Sequence, residues 1–217
     1  MEPTVGTFGF IDLAGFTALT EVHGDHEAVD LLDRFEALVS DALAGTGTLV
    51  KTIGDAVMLR FDEPALAVTA IGRTFDAATA VPNFPLARAG LHEGPAVARD
   101  RDWIGASVNL AARVTAQASG GELLATSAVA AAAFDLGFDV ADLGPTRLSN
   151  VTEPIALFAI TVGSEDPATV LDPVCRMRVV CGSAAGHLRF EGRDVWFCSL
   201  ACVSQFSTDP RHYALPS

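Results

Sequence analysis

Phe10-Ile11-Asp12-Leu13-Ala14-Gly15-Phe16-Thr17 leaves an apolar strand through a single acid and a glycine and enters a helix. The strand reads back to Val5. Downstream, Ala28, Leu31, Leu32, Phe35, Leu38 and Val39 recur at helical spacing, so Phe16 to Leu43 is expected as one helix. Two apolar runs, Thr48 to Ile53 and Ala56 to Phe61, flank Gly54-Asp55 and read as a β-hairpin. Glu63 to Ala80 reads as an Ala-rich helix and Leu86 to His92 as a strand. Gly105 to Ala118 reads as a further helix and Ile155 to Val162 as a closing strand. The order β-α-β-β-α-β predicts an α+β fold. The expected core is ferredoxin-like, with an antiparallel or mixed sheet and its helices on one face.

Composition narrows the function. The chain has 217 residues, half of them apolar, which supplies a core and excludes intrinsic disorder. A mean hydropathy of +0.35 raises the question of a membrane span. The longest uncharged run, Val195 to Thr208, is polar in places and well short of the roughly 20 apolar residues a span needs. The start, Met1-Glu2-Pro3-Thr4, has neither a basic region nor an apolar segment, so a cytoplasmic chain with no membrane partner is expected. A net charge of −13 argues against nucleic acid, because phosphate contacts need clustered Lys and Arg. There are thirteen arginines and one lysine, Lys51. All four cysteines lie beyond residue 170. The chain therefore divides into a first domain, 1–163, a polar Pro-containing linker, 164–171, and a Cys-rich piece, 172–217. A piece that small usually needs a metal or disulfides to fold.

Three motifs in the first domain carry chemistry. At the first, free N–H groups where the helix opens suit a phosphate, and Asp12 beside them suits the metal ion that accompanies a polyphosphate. The second is Lys51-Thr52-Ile53-Gly54-Asp55, which places Asp55 at a hairpin tip. If that hairpin lies beside the first strand, Asp55 meets Asp12, and two converging carboxylates are costly unless a cation sits between them. Lys51 points the same way as Ile53 and Asp55. The third runs from Asp102 to Arg113, where Asn109 and Arg113 stand i and i+4 on one helix face. Two such donors aimed at one point suit a phosphoryl group as charge builds on it. Taken singly, these residues read equally well as a turn acid, a solvated lysine and a polar helix face.

Taken together and in this order, the three motifs resemble the catalytic domain of class III adenylyl/guanylyl cyclases, over about residues 4–162. The resemblance implies that Asp12 and Asp55 hold two Mg²⁺ or Mn²⁺ ions, with the Ile11 backbone as a further contact. It implies that Gly15, Phe16 and Thr17 bind substrate, that Lys51 and Asp102 read adenine, and that Asn109 and Arg113 stabilise the transition state. It also implies active sites shared between two protomers, with the metal ligands from one chain and the base-reading and transition-state residues from the other, so a homodimer of this chain would hold two complete sites. The implied activity is an adenylate cyclase that converts ATP to 3′,5′-cyclic AMP and pyrophosphate. An Asp can accept from the adenine N6 amino group and a Lys can donate to N1, whereas guanine presents the reverse pattern. One departure stands out. Where the family has a Leu-Lys-Gly-like stretch whose Lys binds the triphosphate, this chain has Leu148-Ser149-Asn150. Ser149 keeps an alternative open, a catalytically weak nucleotide-binding or metal-sensing signalling protein.

In the Cys-rich piece, Cys198 and Cys202 are i and i+4, and on a helix they would face one point, with Cys175 as a third ligand. In a cytoplasmic chain such thiols read as metal ligands rather than disulfides, the plain alternative being small buried cysteines. Asp172-Pro173-Val174-Cys175, Phe197-Cys198-Ser199 and the late Asp209-Pro210 resemble the YHS domain, a small metal-binding module related to the TRASH family. Arg176 stands where Gly is usual and Trp196 where Tyr is usual. The resemblance implies zinc or another soft metal on Cys175, Cys198 and Cys202, with His187 as a fourth ligand or a group behind one. Cys181 has no assigned role, and the module is a candidate regulator of the cyclase.

Overall fold

The computed structural model describes residues 2–163 and 168–213. Its centre is β1 (Thr4–Leu13), a strand buried along most of its length. It pairs antiparallel with β3 (Ala56–Phe61) on one side and with β4 (Ala87–Arg99) on the other. β2 (Thr48–Ile53) completes the hairpin with β3. The order β2-β3-β1-β4, with helices between β1 and β2 and between β3 and β4, is the expected ferredoxin-like core. The sheet then continues through β6 (Leu123–Ala125), parallel to β4, to β8 (Ile155–Ile160) and β7 (Val140–Thr146). A short β5 (Asp102–Ile104) folds back on the end of β4.

The expected single helix after β1 is two, α1 (Phe16–His23) and α2 (Asp25–Leu43), broken at Gly24. With α3 (Pro64–Ala80) and α5 (Ser127–Asp135) they cover one face of the sheet. Ile11 and Leu13 pack there with Leu31, Phe35, Val39, Ile71 and Phe75. The helices are not all on that face, contrary to expectation. α4 (Ala106–Thr115) lies on the other one, where Val108 and Ala111 meet Phe8, Phe10 and Met58. The reason is that β1 is apolar at odd and even positions alike, so both of its faces need cover. β6, β7 and α5 were not foreseen. β6 has three residues, and β7 is exposed along much of its length, so neither leaves a clear apolar period.

α4 approaches β4 closely because Gly90 has no side chain. A Cβ there would fall 2.2 Å from the Thr115 backbone nitrogen.

The C-terminal segment packs against the rest. Of the expected linker 164–171, residues 164–167 lie outside the described residues, and Thr169–Leu171 is a strand, β9, paired with β10 (Arg178–Val180). A second hairpin, β11 (Gly186–Phe190) with β12 (Arg193–Phe197), leads into α6 (Leu200–Thr208). Val174, Cys175, Val195, Phe197, Cys202 and Phe206 are continuous with the main core. Arg178, buried, donates from Nε to Phe84 O at 3.1 Å and from Nη2 to Val81 O at 3.2 Å and to Ala78 O. It thereby ties the C-terminal segment to carbonyls at and just beyond the end of α3. Pro85 also forms a bridge to Met177.

Gly90→Ala tests the close approach. It should destabilise the fold by about 2–3 kcal/mol, because backbone rather than a movable side chain blocks the new methyl. Denaturant melts measure it, and Gly72→Ala, where a Cβ would meet its nearest atom only at 3.9 Å, is the control.

Candidate functional site

Strand register brings the two acids together. Asp12 stands opposite Ala56, the residue after Asp55, so the β2–β3 turn reaches the end of β1. Burial and the charge of the neighbouring Asp12 carboxylate push the Asp55 carboxyl above the ordinary carboxylate range. Arg88 lies directly across from Asp12 on β4. Its Nε donates to Asp12 Oδ2 at 2.8 Å, its Nη2 contacts the same oxygen, and its Nη1 reaches Ala118 O at 3.5 Å. Sequence reading missed Arg88, since only the β1–β4 register makes it the partner of Asp12. Two hard carboxylates, one held by Arg88 and the other strained by its neighbour's charge, fit Mg²⁺ or Mn²⁺. Ile11 is buried in the core just before them. Gly15, Phe16 and Thr17 open α1, whose start has no side-chain cap.

Lys51 reaches its place through a β-bulge between Leu49 and Lys51. Leu49 opposes Leu59 and packs into the main core. Without the extra residue, strand alternation would send Lys51 to that face as well. With it, Lys51 opposes Met58 on the face shared with Phe10, Asp12 and α4. There Lys51 Nζ donates to Asp102 Oδ2 at 2.5 Å. Asp102 also accepts from the Trp103 amide at 2.8 Å. The lysine, with this amide, holds the Asp102 carboxyl below its usual range. Trp103 anchors the short β5, with its ring 5.6 Å from Phe8 and under the Arg60 guanidinium at 4.9 Å.

Val108 and Ala111 turn α4 so that Asn109 is exposed and Arg113 half-buried, one turn apart. Among the described residues, no hydrogen bond or ion pair joins either one to the acid pair or to Lys51 and Asp102. Arg147 and Ser149 are exposed just beyond β7.

No protein-family profile matches the chain. Over 162 residues it is 38% identical to a pH-sensitive adenylate cyclase of Mycobacterium tuberculosis, a stretch that is 73% of this chain and 41% of the relative. The chain thus spans about two fifths of that relative's length. A solved adenylate/guanylate cyclase/hydrolase of Silicibacter pomeroyi is 27% identical, covers 74% of this chain and 98% of its own, and superposes with a TM-score of 0.64. A monomeric Trypanosoma brucei adenylate cyclase structure, 23% identical, covers 72% of this chain and 89% of its own with a TM-score of 0.67. The fold is that of the class III nucleotide cyclase catalytic domain. In this cyclase fold the sequence-predicted acid pair meets, the Lys51–Asp102 pair meets, and Asn109 and Arg113 share a helix face. Among the described residues, no helix is long and apolar enough to cross a membrane.

Beyond the cyclase fold, the three expected cysteines converge. Cys175 Sγ lies 3.3 Å from Cys198 Sγ, which lies 3.7 Å from Cys202 Sγ. Cys198 is not on the helix, contrary to expectation. It follows β12, and the Ser199 side chain then caps α6 by accepting from the Cys202 amide at 3.2 Å. Asp172, fully buried, ties the thiol loops together. Its Oδ1 accepts from the Val174 amide at 2.8 Å and from Cys175 at 3.4 Å, and its Oδ2 accepts from the Cys198 amide at 2.8 Å. Hydrogen bonds from the Cys175 and Cys198 thiols hold the Cys202 thiol far below its usual range. Bonds to Cys198 and Cys202, with burial, push the Cys175 thiol up, and the Cys198 thiol is pushed up as well, so the metal-free cluster carries its thiolate on Cys202.

His187 is not in this cluster, which corrects the expectation of a fourth ligand there. Its Nε2 meets Asp194 Oδ1 at 3.0 Å and its ring stacks on Trp196 at 4.0 Å. The histidine present is His23, from the last turn of α1. The sequence offered no signal for it, because His23 and Cys198 are 175 residues apart. Cys181 lies outside the cluster and is half-buried.

The raised Asp55 carboxyl sets a stability test. Because the fold disfavours its ionised form, the cost is full above its folded pKa and is relieved as pH falls through that value. Metal-free Asp55→Asn should therefore melt above the unsubstituted protein at pH 7, with the gap closing toward pH 4. Mn²⁺ should raise the melting temperature of the unsubstituted protein but not that of the variant. Thermal melts across pH, with and without Mn²⁺, measure both effects.

Proposed function

We propose that the chain is an adenylate cyclase acting as a homodimer, with a C-terminal thiol site for a soft metal. The observation that carries the substrate assignment is the Lys51–Asp102 pair, 2.5 Å apart on the sheet face that also holds Asp12. Swung from each other onto a base, Asp102 accepts from the adenine N6 amino group and Lys51 donates to N1. Guanine would leave both mismatched, at a cost of about 1–3 kcal/mol for each unsatisfied group.

The rest of the reaction follows from a site divided between protomers, with Asp12 and Asp55 from one and Lys51, Asp102, Asn109 and Arg113 from the other. Asp12 and Asp55 would hold the divalent ions. When bound there, such ions lower the pKa of the ribose 3′-hydroxyl and neutralise the triphosphate. Amides of Gly15, Phe16 and Thr17 at the start of α1 hold phosphate oxygens. The 3′-oxygen bonds to the α-phosphorus, its proton passes to solvent, and the bond to pyrophosphate breaks. Asn109 and Arg113 donate to the α-phosphoryl oxygens as charge builds on them. Arg88 fixes the Asp12 carboxylate and leaves its other oxygen for the ion.

A shared dimeric site is supported by two exposed apolar side chains. Ile53 and Ile104 are each about half exposed, two residues beyond Lys51 and Asp102 on the same strands. A second protomer would cover them. The Cys175, Cys198 and Cys202 thiols suit zinc or a similarly soft ion, and the resemblance of residues 172–217 to YHS modules supports the same reading.

Incubation with ATP and Mn²⁺ should yield cyclic AMP, read by chromatography, with GTP used poorly. Lys51→Glu combined with Asp102→Cys should erode the preference for ATP. Bound ATP with no cyclic AMP at any protein concentration would instead favour the weakly catalytic reading that Ser149 suggests.

Asp55→Ala and Arg113→Ala should each be nearly inactive. Mixed with free subunit exchange, half the dimers are heterodimers with one intact site of two, so activity should recover to about a quarter of the unsubstituted level. No recovery despite demonstrated exchange would rule out a shared site.

A further inference from the structure

We propose that His23 completes the thiol site, so that a bound soft cation clamps the C-terminal segment onto α1 and holds the substrate-phosphate turn in place. This rests on reading the three thiols as a metal site. His23 Nε2 lies 3.6 Å from Cys198 Sγ and 3.9 Å from Cys202 Sγ, and all four donor atoms lie within 4.8 Å of one another. Three sulfurs and one imidazole nitrogen at that separation can contract onto one tetrahedral ion, with Zn–S near 2.3 Å and Zn–N near 2.0 Å. The set is soft and closed, as a structural zinc site is, and it suits zinc over the hard ions of the carboxylate pair.

The site's location gives it a consequence. α1 has eight residues and is therefore only about 12 Å long. The same C-terminal segment touches it at both ends. At the far end is His23. At the near end, Gly15 takes φ 83°, and a Cβ there would lie 2.6 Å from Arg176 Cβ, so the stem of the Arg176 side chain sits directly against the turn after Asp12. Arg176 itself takes φ 63°, which shapes the loop that delivers Cys175. A metal bond to His23 therefore fixes α1 between the Cys175–Arg176 loop and the Cys198–Cys202 segment, which Asp172 ties together. Loss of the ion frees the His23 end and loosens the Gly15–Thr17 turn, where ATP phosphates are held. The sensed chemistry is a divalent thiophilic cation, and the response is substrate affinity.

Full-length protein purified without metal is titrated with Co²⁺, which reports coordination by its visible absorption, and then with Zn²⁺ in competition. One equivalent should bind with the spectrum of a four-coordinate site of three thiolates and one nitrogen. His23→Ala should lose that spectrum and weaken binding by about tenfold or more. His23→Cys should restore tight binding with a spectrum shifted to four thiolates. Zn²⁺ should slow amide exchange across residues 16–23 in the unsubstituted protein and not in His23→Ala. At saturating Mn²⁺, His23→Ala should raise KM for ATP more than it lowers kcat. Identical Co²⁺ spectra and affinities with and without His23, alongside loss of binding in Cys198→Ser, would leave a three-thiol site and overturn the clamp. Absence of Co²⁺ binding by the unsubstituted protein would overturn the metal reading itself. Normal metal binding through His23 with unchanged exchange in α1 would overturn the coupling to the turn.

Discussion

The structure depends on one strand that has no solvent face. β1 is paired on both edges and covered on both faces, so a one-residue slip of its register against β3 or β4 would exchange the residues packed on its two faces and turn Asp12 toward the other one. That fixed register carries the chemistry. It sets Asp12 across from Arg88, brings the Asp55 turn to the same strand end, and presents Phe10 and Asp12 on the face that α4 covers. The acid pair is tolerated there because Arg88 offsets part of its repulsion, and Asp55 keeps the remaining strain.

A second device, the bulge in β2, assigns the single lysine. Leu49 must be buried and Lys51 must face the site, and a regular strand cannot do both. The inserted residue separates a packing demand from a recognition demand over three positions. Lys51 and Asp102 then satisfy each other in the free protein. In the proposed function, a base must offer equivalent hydrogen bonds to open the pair.

The C-terminal segment adds a third layer of constraint. It shares the main core, caps the end of α3 through Arg178, and brackets α1 between Arg176 and the thiol cluster. A segment this small gains order from a neighbour and from a buried carboxylate, Asp172, that binds the amides of both thiol loops. Its thiol cluster is therefore placed against α1, the element that begins at the Gly15 turn.

Much of this was legible in the residues alone. Local periodicity identified the core elements, the motif order pointed to Asp12, Asp55, Lys51, Asp102, Asn109 and Arg113, and the cysteine spacing pointed to the three thiols that cluster. Those signals are short-range, since a strand, a hairpin and an i,i+4 pair each declare themselves within a few residues. Only the tertiary structure decided which faces α4 and the other helices take, that Arg88 serves Asp12, that a bulge turns Lys51 outward from the core, and that His23 rather than His187 joins the cysteines. Each of those outcomes depends on register or on contact between residues as many as 179 apart, and packing sets such contacts where no local pattern records them.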